Sequence, residues 1–324
     1  MITVWAPDGV GEVRRGDDLA ELLLGVLSAG GPDAAGHLAD GDVVCVTSKV
    51  ASKAEGRVVA GDRAEAVVAE TRRVVARRGP LAIVVNRLGI TMAAAGVDAS
   101  NVEPGHVVLL PEDPDASARV LRDAVASRTG ANVAVLVTDT AGRTWREGQT
   151  DIAVGAAGLH VLDDHAGRAD GYGNDLAVTA PAVADELAGV AELAAGKLSR
   201  RPFTVVRGRG DLVLPPGEHG PGAAALLRPE GADLFGLGAR EAVLAALEAR
   251  AGARSAFGVA VDPDELVAVL TGLTGSPVVR RDDEVVVTTD DPRTRWAVEV
   301  AAYAHGWQAV AAPEPGLRLR PSTP

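Results

Sequence analysis

The chain has 324 residues and a formal net charge of −12, enough for one large domain or two ordinary ones around ample cores. That acidity excludes a nucleic-acid partner, since no basic stripe could dominate the field, yet a local arginine or metal cluster can still serve an anionic substrate. One cysteine, Cys45, excludes intramolecular disulfides and thiolate zinc centres, and its apolar surroundings predict a buried structural thiol.

The N-terminus opens on a short strand-like run, Ile2–Trp5, without a basic and apolar leader. No stretch reaches about 18 uncharged apolar residues, so no membrane contact is expected and a cytoplasmic protein is the simplest reading. Asp17-Asp18 starts a helix whose apolar face runs through Leu19, Leu22, Leu23 and Leu27, with Gly30-Gly31 as its stop. Val-, Ile- and Leu-rich runs predict strands at 42–47, 81–86, 106–110, 131–138 and 203–207. Amphipathic spacing predicts helices over 62–78, 115–127 and 179–197. Residues 209–236 are rich in Gly and Pro and read as a long irregular loop, lid or linker. Beyond it come helices at 238–252, 262–271 and about 292–304, strands at 278–280 and 284–289, a final strand near 308–311, and a frayed tail from Pro313. The class is α+β, with mixed or antiparallel sheets and flanking helices, divided into domains 1–236 and 237–324.

Four clusters carry chemistry. The apolar run ending at Val137 empties into Thr138-Asp139-Thr140-Ala141-Gly142-Arg143-Thr144-Trp145-Arg146-Glu147. Asp and Thr oxygens suit a hard cation, and arginines hold phosphate or carboxylate bidentately. A second strand end carries Ser48-Lys49 and Ser52-Lys53, which is either a phosphate contact or a solvated turn. The small-residue run Ala94-Ala95-Gly96-Val97-Asp98 leaves backbone open to close approach, and Asp98 could join Asp139 at a magnesium site. A Gly-rich loop gathers His165 with Asp163, Asp164, Arg168 and Asp170, either solvated or substrate-binding. Two motifs fail: Gly196-Lys197 lacks the P-loop's first glycine (Ala191) and its hydroxyl (Leu198), and no dinucleotide glycine motif follows a strand.

In order along residues 2–236, these clusters resemble the coenzyme F420-0:L-glutamate ligase family. The resembling segments also include Gly16-Asp17-Asp18-Leu19, Tyr172-Gly173-Asn174-Asp175-Leu176, Ala184-Asp185-Glu186-Leu187-Ala188 and Val206-Arg207-Gly208. The resemblance implies a ligase that adds γ-linked L-glutamate to coenzyme F420-0 with GTP, using magnesium or manganese at two sites and potassium as a further cation. It places a divalent cation on Asp98 and Asp139, with Thr140 contributing to a second. It places GTP against Val10, Gly11, Glu12, Val13, Ser48, Lys49, Lys53, Asn101, Gly196 and Lys197. Lys197 departs from the pattern, standing where archaeal relatives carry a metal-ligating glutamate, so either the second metal is held differently or the ammonium replaces its charge. A homodimer is implied as well.

The implied route activates the precursor's carboxylate as an acyl phosphate, which the amine of glutamate then attacks. From their own chemistry, Arg143 and Arg146 join Asp139 as catalytic candidates for holding phosphate or carboxylate, and Glu147 is a candidate proton acceptor. Actinobacterial relatives often continue into a flavin-binding domain; here the arginine-rich flavin motif is unrecognisable in 250–257, so no FMN is expected and residues 237–324 read as a small α/β appendage. The rivals are a non-catalytic protein that keeps the GTP and coenzyme pocket, and an amide ligase for another carboxylate.

Overall fold

The computed structural model describes residues 1–29, 37–310 and 316–322. By internal contacts the chain forms two compact units, residues 1–73 with 84–227, and residues 74–83 with 228–324. Its mixed helices and sheets are the α+β class that the sequence predicts. The expected stop at Gly30-Gly31 lies outside the described residues.

In the first unit the elements run β1 (Thr3–Trp5), α1 (Leu19–Ala29), β2 (Val43–Thr47), α2 (Ser48–Glu55), β3 (Val58–Ala60) and α3 (Arg63–Ala69). Next in the chain come the hairpin strands β4 (Thr71–Arg78) and β5 (Leu81–Asn86), whose residues 74–83 count with the second unit, and then, in the first, β6 (Thr91–Ala93), β7 (His106–Val108) and α4 (Pro114–Thr129). The long pair β8 (Ala134–Arg143) and β9 (Arg146–Ala157) comes next, then the short pair β10 (Arg168–Ala169) and β11 (Asp175–Leu176), α5 (Val183–Ala195) and β12 (Phe203–Arg207). The main sheet has the order β1-β12-β2-β8-β9, with β2 and β8 parallel and every other pair antiparallel.

Alternation decides what each face of that sheet buries. Val44 and Val46 of β2, with Val135 and Val137 of β8, pack against Leu23 and Leu27 of α1 and Leu121 and Val125 of α4. Val43, Cys45 and Leu136 face the other way, onto Ala184, Leu187 and Ala191 of α5. Covered on both sides, these strands read as continuous apolar runs, which is why the sequence marks them so clearly. Cys45 is a free, buried thiol, and burial pushes its pKa up to about 12. Gly155 of β9 lets α4 dock: a Cβ there would collide with the Pro114 backbone carbonyl.

Three expectations need correction. The helix read over 62–78 stops at Ala69, capped by the Asp62 carboxylate accepting from the Ala64 and Glu65 amides, and 71–78 is a strand. Thr71, Val74 and Val75 are β-branched and pair in the hairpin, and four valines in two doublets fit either periodicity. The segment 209–227 is no loose loop. Arg122 ties it down by donating to the carbonyls of Leu214, Pro215 and Glu218, and Asp115 accepts from the amides of Ala223 and Ala224. The tail is not frayed where described: Leu317–Pro321 is a strand.

The second unit contains α6 (Ala239–Leu247), α7 (Pro263–Thr274), β13 (Val278–Arg281), β14 (Glu284–Val287), α8 (Pro292–Ala304), β15 (Trp307–Val310) and β16 (Leu317–Pro321). Its antiparallel sheet has the order β13-β14-β16-β15, so the terminal strand is an interior one. Leu266, Leu270, Val285, Val287, Val298, Trp307 and Leu319 form its own core. Trp307 satisfies its indole N–H on the Val261 carbonyl at 3.0 Å. Among the described residues no helix is long and apolar enough to cross a membrane.

Candidate active site

The parallel register of β2 and β8 builds the centre of the site. Thr47 lies opposite Thr138 at the last pair of that register, so Ser48, where the chain leaves β2, comes beside Asp139, which stays in β8 and pairs on with β9. Ser48 begins α2 there and donates its hydroxyl to Asp139 Oδ1 at 2.7 Å. One residue further, Lys49 reaches Asp98, with Nζ 2.6 Å from Oδ2 and 2.6 Å from Ser100 Oγ. The loop that carries Asp98 is strained. Ala94 and Ala95 both adopt left-handed backbone angles, φ 51° and 55°, which L-residues avoid. The loop is packed, not open, because a Cβ on Gly96 would meet Leu110 Cδ1 at 2.7 Å. The close approach that the Ala-Gly run permits is made by the Leu110 side chain.

The two carboxylates behave differently. Burial pushes Asp98 up, but hydrogen bonds from Lys49 and Ser100 outweigh it and hold the carboxyl below the usual range. Asp139 keeps some open surface, yet protein crowds its carboxyl, and burial raises it to about 6. The Ser48 hydroxyl and Lys49 oppose that rise; the charges of Asp151 and Asp98 add to it.

Sequence reasoning missed Asp151. It lies on β9 directly opposite Thr140 and is 4 % exposed. Thr140 donates to its Oδ1 at 2.7 Å and Thr138 to its Oδ2 at 3.3 Å. Reading Arg143–Arg146 as a hairpin turn would have placed it. The irregularity between Val137 and Thr138 falls at this point and re-aims the strand, as bulges beside sites do. Lys197, just past α5, donates its ammonium to Thr140 Oγ1 and stands 3.4 Å from Glu192.

Most of the other expected residues fall into four places. Glu12, Val13 and Lys53 line a cavity of about 370 Å³ with Arg14, Arg15 and His106, and Lys53, mostly buried, is paired with Glu12. Gly56 closes α2 beside it at φ 78°, giving its N–H to Lys53 O; a Cβ there would meet Arg15 Cδ at 2.6 Å. Asn101 follows Asp98 in a left-handed turn and is exposed. Arg143, Arg146 and Glu147 sit at the exposed tip of the β8–β9 hairpin, four residues and roughly 13 Å along the strand from Asp139. The structure does not bring them into the carboxylate cluster. His165 lies in an exposed loop, 3.3 Å from Asp163.

This is an oxygen-only donor set, two carboxylates and a threonine hydroxyl, with lysines on its rim. Among the described residues no three of His, Cys, Asp and Glu form a metal-holding group, so any ion here depends on the hydroxyl and on substrate oxygens. Burial first, and the charges of Asp151 and Asp98 after it, raise Asp139, and a hard cation would favour its ionised form.

Residues 9–208 match the F420-0:Gamma-glutamyl ligase family, and the chain belongs to that family. It is 38 % identical over 218 residues to the coenzyme F420:L-glutamate ligase of Methanopyrus kandleri, covering 61 % of this chain and 83 % of that one. It is 34 % identical over 257 residues to the protein of that name from Methanothermobacter thermautotrophicus, covering 72 % and 98 %. A third, from Archaeoglobus fulgidus, is 37 % identical over 227 residues, covering 64 % and 88 %.

Proposed function

We propose that this protein joins L-glutamate to coenzyme F420-0 through a γ-linked amide, with GTP as phosphoryl donor and an acyl phosphate between. The reading rests on one observation above all: Ser48, Lys49, Asp98 and Asp139 converge where β2 ends beside β8, inside the region that matches the family. A free carboxylate is a poor acyl donor, so phosphorylation must precede attack by the amine.

Magnesium or manganese on Asp98, Asp139 and Thr140 would supply charge neutralisation to the phosphates. The protein's own part is positioning. Ser48 holds Asp139 with its hydroxyl, and Lys49 balances Asp98. Lys53, with Glu12 and Val13, borders the cavity we assign to the nucleotide, and Val10, Gly11, Asn101 and Gly196 complete the expected contacts. Lys197 brings its ammonium to Thr140 Oγ1, which keeps a second lone pair for a cation. Arg143 and Arg146 remain candidates for substrate carboxylates only through reach from the hairpin tip.

We further read the working form as a homodimer. Trp145, Tyr172, Leu193 and Leu198 are each more than four-fifths exposed, and a partner that covered them would take that apolar surface out of water. The acyl-phosphate route has its own test. With ¹⁸O in the terminal carboxylate of F420-0, one label must appear in the released phosphate; unlabelled phosphate beside amide product would remove that intermediate.

A further inference from the structure

Asp151 poses a question that the assigned roles leave open. It is a buried carboxylate, and among the described residues no lysine, arginine or histidine pairs with it. A carboxylate kept out of water without a cation is costly, so its retention needs a reason. Its two partners are hydroxyls, and both donate to it.

A threonine hydroxyl has one proton and two lone pairs. With its proton on Asp151, Thr140 Oγ1 can only accept from the other side. The group found there is cationic: the Lys197 ammonium donates to the same oxygen. Without the carboxylate the hydroxyl rotor is free, and its proton can turn toward whatever cation the site holds.

We propose that Asp151 is a positioning residue, fixing the Thr140 hydroxyl as a pure acceptor that faces the cations of the site. Thr138 serves only to complete the Asp151 carboxylate. The inference rests on the reading of Asp98, Asp139 and Thr140 as cation-binding, and its test separates the two. Manganese binding to the full chain without nucleotide would be followed by electron paramagnetic resonance for Asp151→Asn, Thr140→Val and the double variant, with thermal midpoints alongside. Partners that orient a ligand from behind change metal affinity about 10- to 100-fold. Each single variant should therefore weaken Mn²⁺ about tenfold, and the double variant no more than the worse single one, since both remove one device. Losses that multiply, or an unchanged affinity in Asp151→Asn, overturn the proposal. Should Asp151→Asn fail to fold, Thr138→Val and Thr140→Val decide: the proposal requires the first to bind Mn²⁺ like the parent and the second not, and equal losses overturn it. A parent protein that binds no Mn²⁺ overturns both this inference and the cation site beneath it.

Discussion

Asp139→Asn should make the metal-free protein more stable while abolishing its turnover, and the size of the gain follows from the carboxyl's environment. Folding raises this group from an ordinary 3.8 to about 6, chiefly by burial. A carboxyl raised on folding binds its proton more tightly in the native state, so between those two values stability falls as pH rises. Above pH 6 the full penalty is present. Roughly two pK units correspond to about 3 kcal/mol, and the part of Asp139 open to solvent makes that an upper value. The Asn amide carries no charge and can still accept from Ser48, so it should recover on the order of 2 kcal/mol at pH 8 and almost nothing at pH 4. Urea denaturation of parent and variant at both pH values, in chelator, reads the difference directly. Equal stability of the two proteins at pH 8, or a gain larger at pH 4 than at pH 8, would refute this account of the site's electrostatics.

Ser48→Ala removes the donor that offsets Asp139's burial, so it should cost about 1–3 kcal/mol at pH 8 and less at pH 4, read by the same denaturation series. Gly155→Ala forces a methyl into the Pro114 carbonyl and should lower stability by about 1–3 kcal/mol, seen as a lower urea midpoint with an unchanged slope. Trp145→Ser, at a side chain 82 % exposed, should leave the thermal midpoint of the subunit fold alone and shift light-scattering mass from two chains toward one. A parent protein that is already a monomer at every concentration would dispose of the dimer.

The sequence made legible what depends on one segment at a time. The buried strands β2 and β8 stood out because both their faces are covered, and α1 because the Asp17-Asp18 start and its apolar face agree. The small-residue run before Asp98 promised a close approach to the backbone, and only the fold names Leu110 as what approaches. What depends on pairing was hidden. Nothing local says that Ser48 meets Asp139; that follows from Thr47 lying opposite Thr138 across a parallel pair. Asp151 was invisible for the same reason, since only the β8–β9 register sets it beneath Thr140. Valine doublets in 62–78 satisfied both helical and strand periods, and tertiary pairing chose between them after Ala69. Arg143 and Arg146, close to Asp139 in sequence, are carried away from it by the extended strand.

The central claim is that this carboxylate cluster serves glutamate ligation driven by GTP. The most direct measurement incubates the purified protein with coenzyme F420-0, L-glutamate, GTP and magnesium or manganese, and follows coenzyme and nucleotide by mass spectrometry. The account predicts a coenzyme heavier by one or more glutamyl residues, one GDP formed per residue added, and neither product with Asp139→Asn. No glutamyl product from the parent protein, or product formed without consumption of GTP, would contradict it.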